Sequence, residues 1–181
     1  PCKADVLFAS GATASKASPT VNFTDLEHRF KHCMSLVEFK IKPGQGVKYN
    51  NYKLNRLELK GIFRSGKFDT RTGSVETAGD RGPIILNFDD VSFESEKSFA
   101  YIMLTQSLES NKMDIEIYLL LNDSEVKYTT PITPSTHGKF EGGKKYTYNI
   151  TVKNTGITIE DAFIYPWENG DSGDLDADIA L

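Results

Sequence analysis

Apolar and polar side chains alternate with a period of two, and this constrains the fold more than any other feature of the chain. Val37, Phe39 and Ile41 fall on one face of an extended segment, with Glu38, Lys40 and Lys42 on the other. That is the pattern of a half-buried strand. Leu57 and Leu59 oppose Arg56, Glu58 and Lys60 in the same way, and Met113, Ile115 and Ile117 oppose Asp114, Glu116 and Tyr118. Tyr146, Tyr148, Ile150 and Val152 share a face further on. No stretch keeps a helical period beyond about two turns.

The punctuation between these segments agrees. Pro43-Gly44 stops the first long strand, and a phase change near Ser35 predicts a bulge or a shift of face. Gly66 to Gly73 is turn chemistry that drops Phe68 inward, and Asn122-Asp123-Ser124 closes a hairpin. The continuous apolar run from Phe99 to Leu104 predicts a central strand covered on both faces. Asp5-Val6-Leu7-Phe8-Ala9 reads as a short strand leading into a Gly/Ala/Ser/Thr/Pro-rich connector. The expected class is all-β, an antiparallel two-sheet β-sandwich of seven to nine strands. Residues 1–20 form the first strand and connector, 21–170 the sandwich, and 171–181 an acidic tail.

With 181 residues, 39% of them hydrophobic, there is enough apolar material for one packed core. A net charge of -4 spread along the chain argues against nucleic acid, which selects concentrated Lys and Arg. No run of eighteen apolar residues is long enough for a spanning helix. Pro1 is not an initiator Met, so the chain reads as a processed or truncated product whose targeting segment lies upstream. Cys2 and Cys33 are too few for a disulfide scaffold. Either they pair, or Cys33 is a small buried side chain and Cys2 is free; the second reading is preferred.

Catalytic constellations are missing. His28 and His32 share a face if that segment is a strand, but lie about 13 Å apart there, too far to hold one ion. No Gly-x-Ser-x-Gly elbow, phosphate loop or dinucleotide fingerprint occurs. No enzyme and no cofactor is expected. In the tail, Asp174, Asp176 and Asp178 place oxygen ligands at alternate positions, a weak calcium candidate that lacks a closing bidentate Glu. Read as a strand, the same tail sets Leu175, Ala177, Ile179 and Leu181 on the opposite face, a candidate donor strand for another sheet. A solvated acidic tail is the default reading. Three sequons, at Asn22, Asn122 and Asn149, carry no functional weight.

Four segments in order resemble the fimbrillin family of Bacteroidetes. Phe30-Lys-His-Cys-Met-Ser-Leu-Val-Glu-Phe is similar to that family's "F-x-H-x-(L/M)-S-x-(V/L)-x-F" strand, and Asp5-Val-Leu-Phe-Ala to the "D-L-L-x-A" before it. Phe140-Glu-Gly-Gly-Lys-Lys-Tyr-Thr-Tyr-Asn-Ile-Thr-Val resembles "F-x-x-G-K-x-Y-x-Y-x-(I/L)-x-(V/L)", and Ile164-Tyr-Pro-Trp-Glu-Asn-Gly resembles the closing "I-x-x-W-x-x-G". Ile102-Met-Leu-Thr-Gln106 sits where the family commonly has a strand ending in Pro-Gln, with Thr105 in place of the Pro.

The resemblance implies a transthyretin-like sandwich corresponding to the C-terminal of two domains. It implies a cell-surface fimbrial protein exported as a lipoprotein precursor to the outer membrane, matured by proteolysis and assembled by strand insertion. Its partners would be other fimbrial subunits and surface ligands of host or bacteria. The fourteen residues after Trp167 are short for a stalk subunit, which points to a tip, anchor or accessory role. Two other readings compete with this one. A carbohydrate-binding module would use Tyr49, Tyr52, Tyr165 and Trp167 as stacking rings, although Trp167 reads better as a packing anchor. A calcium-dependent surface enzyme or inhibitor has only the acidic tail in its favour.

Overall fold

The computed structural model describes residues 5–23, 25–44, 52–134, 138–153, 156–160 and 162–167, except the side chains of Asp89, Asp90 and Asn111. Thirteen strands run through them: β1 Leu7–Phe8, β2 Lys31–His32, β3 Ser35–Pro43, β4 Tyr52–Phe68, β5 Val75–Ser92, β6 Lys97–Met103 and β7 Gln106–Ser107. They continue with β8 Met113–Leu121, β9 Ser124–Ile132, β10 Lys139–Phe140, β11 Lys144–Lys153, β12 Gly156–Ile159 and β13 Phe163–Pro166. Nine strands build the two main sheets, and the four two-residue strands form small ribbons, β1 with β2 and β7 with β10. The fold is a β-sandwich, with more strands than the seven to nine expected because short ribbons leave no alternation to read.

One sheet has the order β5-β4-β8-β9, and the other β12-β11-β3-β6 with β13 beside β11. Their inner faces carry the alternating residues of the sequence. Val37, Phe39, Ile41, Tyr146, Tyr148, Ile150 and Val152 meet Leu54, Leu57, Leu59, Ile115, Ile117 and Leu119 in one buried cluster. Burying side chains of this size contributes about 1.5–3 kcal/mol each before entropy is counted. Pro83 and Pro131 fall on β5 and β9, the two edges of the four-stranded sheet, where a missing N–H costs least.

Several expectations need correction. The pairing is not wholly antiparallel: β11 runs parallel to β3 from Lys145↔Leu36 to Val152↔Pro43. A parallel pair needs a long crossover, and here the other sheet lies between the two strands in sequence. The run Phe99–Leu104 is not a central strand, because β6 lies at the end of its sheet. Phe99 and Tyr101 face the core opposite Phe39 and Val37, while Ile102 and Leu104 line an apolar cavity of about 290 Å³ with Val6 and Met34. Tyr101 and Met103 of the core face border the same cavity. Near Ser35 the chain breaks between β2 and β3 and changes sheet, rather than bulging within one strand.

On β4 the buried leucines are spaced oddly, and the strand absorbs this with irregularities. Leu54, Leu57, Leu59 and Ile62 are all fully buried, with register shifts between Leu54 and Arg56 and between Leu59 and Ile62. Gly61, inside the second shift, has a φ of 76°, which favours glycine. Of the expected turns, the hairpin at Asn122-Asp123 is present, whereas β4 continues through Gly66 to Phe68 and its turn begins only at Asp69. Asn122 and Asp123 both take positive φ in the two-residue loop joining β8 to β9, as a type I′ turn requires. Between β4 and β5, Gly73 lies under Phe8, and a Cβ there would stand 2.2 Å from the Phe8 ring.

Candidate interaction site

The outer face of the four-stranded sheet is closed by its own charges. Glu116, on β8, is 5% exposed although it points away from the core. Its carboxylate accepts from Lys60 at 2.7 Å, from the Tyr118 hydroxyl at 2.6 Å and from Lys127 at 3.3 Å. The Lys60 and Tyr118 hydrogen bonds outweigh desolvation and hold the carboxyl down at about 2. Arg56 lies 3.7 Å over the Tyr118 ring and pairs with Glu58 at 2.8 Å and Glu125 at 3.0 Å. Such a face is committed to itself, since any partner would have to break bonds already made.

The five-stranded sheet ends differently. β12 and β13 lie end to end along one side of β11, β12 against Ile150–Lys153 and β13 against Lys144–Thr147. All four residues of β13 are exposed, among them Phe163, Ile164 and Tyr165 at 46, 41 and 55%. Tyr165 and Phe163 stand opposite Lys145 and Thr147 on the outer face, and Ile164 opposite buried Tyr146. Beside them Glu38 accepts from Thr147 Oγ1 at 2.9 Å and from Lys145 at 3.2 Å. Burial alone would raise the Glu38 carboxyl, but these two partners hold it low. Among the described residues β13 is therefore an edge strand, with Phe163 and Tyr165 exposed on its outer face and Ile164 half-exposed on its inner one, the kind of surface that protein contacts use.

Several other polar groups complete the fold's own hydrogen bonding. Gln106, 3% exposed, accepts from the Phe63 N–H at 2.8 Å and donates to the Phe63 and Leu104 carbonyls, each at 3.3 Å. It stands in for a missing ladder partner on β4. Thr105, where the resemblance anticipates proline, uses its hydroxyl to donate to the Cys33 carbonyl at 3.0 Å. The Tyr146 hydroxyl accepts from Glu141 N–H at 2.8 Å, whereas the Tyr148 hydroxyl is buried with no partner among the described residues. Burial, then the neighbouring Tyr146, pushes the Tyr148 phenol far up.

His28 and His32 are not brought together as ligands. His28 Nδ1 meets Asp25, and His32 Nδ1 meets Asp5. Among the described residues no group of three or more His, Cys, Asp or Glu could hold a metal. Cys33 carries a free, half-buried thiol, raised by burial and by the Asp5 charge. It borders a cavity of about 430 Å³ with Phe8, Arg29, Lys31, His32 and Gly73. Cys2, the calcium candidates Asp174, Asp176 and Asp178, and the donor-strand candidates Leu175, Ala177, Ile179 and Leu181 lie outside the described residues.

Of the four rings proposed for stacking on sugar, Tyr49 also lies outside, Tyr52 packs against the core and Trp167 stacks on His32. Tyr165 alone of the three described rings is exposed. The roles of Asp5 and Gln106 were missed from sequence. Both stand inside the family-like segments, and that position was the available signal.

Comparison with known proteins gives this surface its context. The fimbrillin-like family matches residues 2–167. The chain belongs to that family. A crystal structure of a candidate cell adhesion protein from Bacteroides ovatus is 26% identical, with a TM-score of 0.57 over 80% of this chain and 49% of its own. A second candidate cell adhesion protein, from Bacteroides uniformis, is 15% identical with a TM-score of 0.60 over 79% of this chain and 54% of its own. The tip fimbrial protein Mfa3 from Porphyromonas gingivalis, with a C-terminal truncation, is 12% identical with a TM-score of 0.51 over 87% and 60%. The last two likenesses speak for the fold alone. The fimbrillin-like chain spans about half the length of the first solved structures it matches. No curated protein matches it. No helix among the described residues is long and apolar enough to cross a membrane.

Proposed function

We propose that this fimbrillin-like chain is a structural and adhesive subunit of a cell-surface fimbria, in a tip, anchor or accessory position, and works by protein–protein contact. The observation that carries this reading is β13, an exposed edge strand bearing Phe163, Ile164 and Tyr165 in a chain of this family. Contact residues of this kind concentrate binding energy, because aromatic rings bury much area for little lost freedom. Its partners are other fimbrial subunits and, for adhesion, ligands on host or bacterial surfaces. Its place is outside the cell, reached as a lipoprotein precursor exported to the outer membrane. The reaction class is assembly, with no catalysis and no cofactor.

Strand insertion is the mode of assembly in this reading, with Leu175, Ala177, Ile179 and Leu181 as the apolar face of a donor strand. Purified fimbriae from cells expressing an epitope-tagged chain test the reading. The tag is expected on the fimbriae, at ends or at intervals. A tag found only on protein attached to no fimbria would contradict it. Deleting residues 171–181 tests the insertion step alone: assembly should fall, and unchanged assembly removes the donor role while leaving the contact at β13.

A further inference from the structure

Three family-like segments far apart in sequence meet in one cluster of side chains. Asp5 lies just before β1, His32 ends β2, and Trp167 follows β13. The His32 ring stacks on the Trp167 indole with centroids 3.7 Å apart and planes 8° apart. Its Nδ1 is bonded to Asp5 Oδ2, and the His32 side chain keeps 9% of its surface exposed. Backbone bonds bind the same elements. Cys33 N–H donates to the Val6 carbonyl at 2.8 Å, Gly143 N–H to Met34 at 2.9 Å, and Trp167 N–H to Gly143 at 2.7 Å.

Two atoms of this cluster, Asp5 Oδ1 and His32 Nε2, are buried with no partner among the described residues. A buried polar group without a partner carries a desolvation penalty. Stacking covers one face of the His32 ring that Asp5 binds, and the Asp5 bond orients the ring on which the indole packs. Each contact therefore depends on the other, and the pair should form or open together.

We propose that Asp5, His32 and Trp167 form a clasp that couples the strand through which the chain enters the sandwich to the edge strand β13. Displacement of either end loosens the other. β13 is the strand assigned above to subunit contact, so a partner that draws on β13 also loosens β1. The coupling itself stands on the stacking and hydrogen-bond geometry and does not require the fimbrial reading.

Trp167 is the sole tryptophan, so its emission reports on the clasp directly. In the full chain, Asp5→Asn is expected to raise acrylamide quenching of Trp167 at least two-fold and to shift its emission to longer wavelength. In the other direction, Trp167→Ala is expected to speed amide exchange at Leu7, Phe8 and Cys33 by roughly two- to ten-fold, the range set by an aromatic contact of about 0.5–1.5 kcal/mol. Amides of Phe39 and Ile117 in the core should not change. Trp167→Phe, which keeps a ring, should restore most of the protection.

Either of two results overturns the proposal. One is Trp167 emission and quenching unchanged in Asp5→Asn. The other is exchange that rises around Gly143 and Trp167 but not at Leu7, Phe8 and Cys33. If Trp167→Ala does not fold, the Asp5→Asn quenching result decides by itself.

Discussion

The outer face of the four-stranded sheet and the β13 edge of the five-stranded sheet are both solvent-facing, yet they are built to opposite ends. On the first, Glu116 is bonded by Lys60, Tyr118 and Lys127, and Arg56 is shared among Tyr118, Glu58 and Glu125. On the second, Phe163, Ile164 and Tyr165 stand exposed on a strand paired on one side by β11. Mutual pairing of charges makes a surface that resists partners. Apolar rings on an edge strand make one that wants cover. The same sandwich can thus be inert on one flank and adhesive on another.

Substitutions should separate the two regions, beginning with the largest expected effect. Glu116→Ala leaves Lys60, Lys127 and the Tyr118 hydroxyl without their shared acceptor. It should cost about 2–3 kcal/mol in urea unfolding, since the buried Tyr118 hydroxyl loses a charged acceptor while the half-exposed Lys60 and Lys127 turn to water. Assembly per folded molecule should not change. Gln106→Leu keeps the volume but strips partners from the Phe63 N–H and carbonyl, and should cost about 2–3 kcal/mol by the same assay.

Acid should weaken the inert face. The Glu116 carboxyl sits at about 2 in the folded chain, below its ordinary 4.5. Its contribution is therefore full above about pH 4.5 and is lost as pH falls toward about 2. Glu116→Gln should flatten that part of the stability curve, and an unchanged acid limb would remove Glu116 as its cause. At the small end are two tyrosines on one strand. Tyr148→Phe deletes a hydroxyl with no partner among the described residues and should change stability by less than about 0.5 kcal/mol, or raise it. Tyr146→Phe breaks the bond from Glu141 N–H and should cost about 1 kcal/mol.

How much of this was legible from the sequence follows from the range of each interaction. The alternation of Val37, Phe39 and Ile41 and the turn at Asn122-Asp123 depend on neighbours in sequence, and both are found as read. The parallel pairing of β3 with β11 depends on residues about a hundred positions apart and leaves no local mark. Leu54 escaped the pattern because a register shift, not a period, brings it inside. Phe99 to Leu104 reads as a central strand because an apolar run reports content, whereas position in a sheet is set by pairing that leaves no local mark. Trp167 was legible as a packing anchor, but its partners His32 and Asp5 were not, since nothing in either segment names the other.

The contact role of β13 is tested most directly by replacing its exposed apolar side chains. The variant F163S/I164S/Y165S, mixed with wild-type fimbrial components, should keep the melting temperature within a few degrees, because exposed positions contribute little to stability. Its incorporation into fimbriae, counted by electron microscopy with a labelled chain, should fall at least ten-fold. Normal incorporation of a folded triple variant would contradict the assignment of β13 as the contact surface.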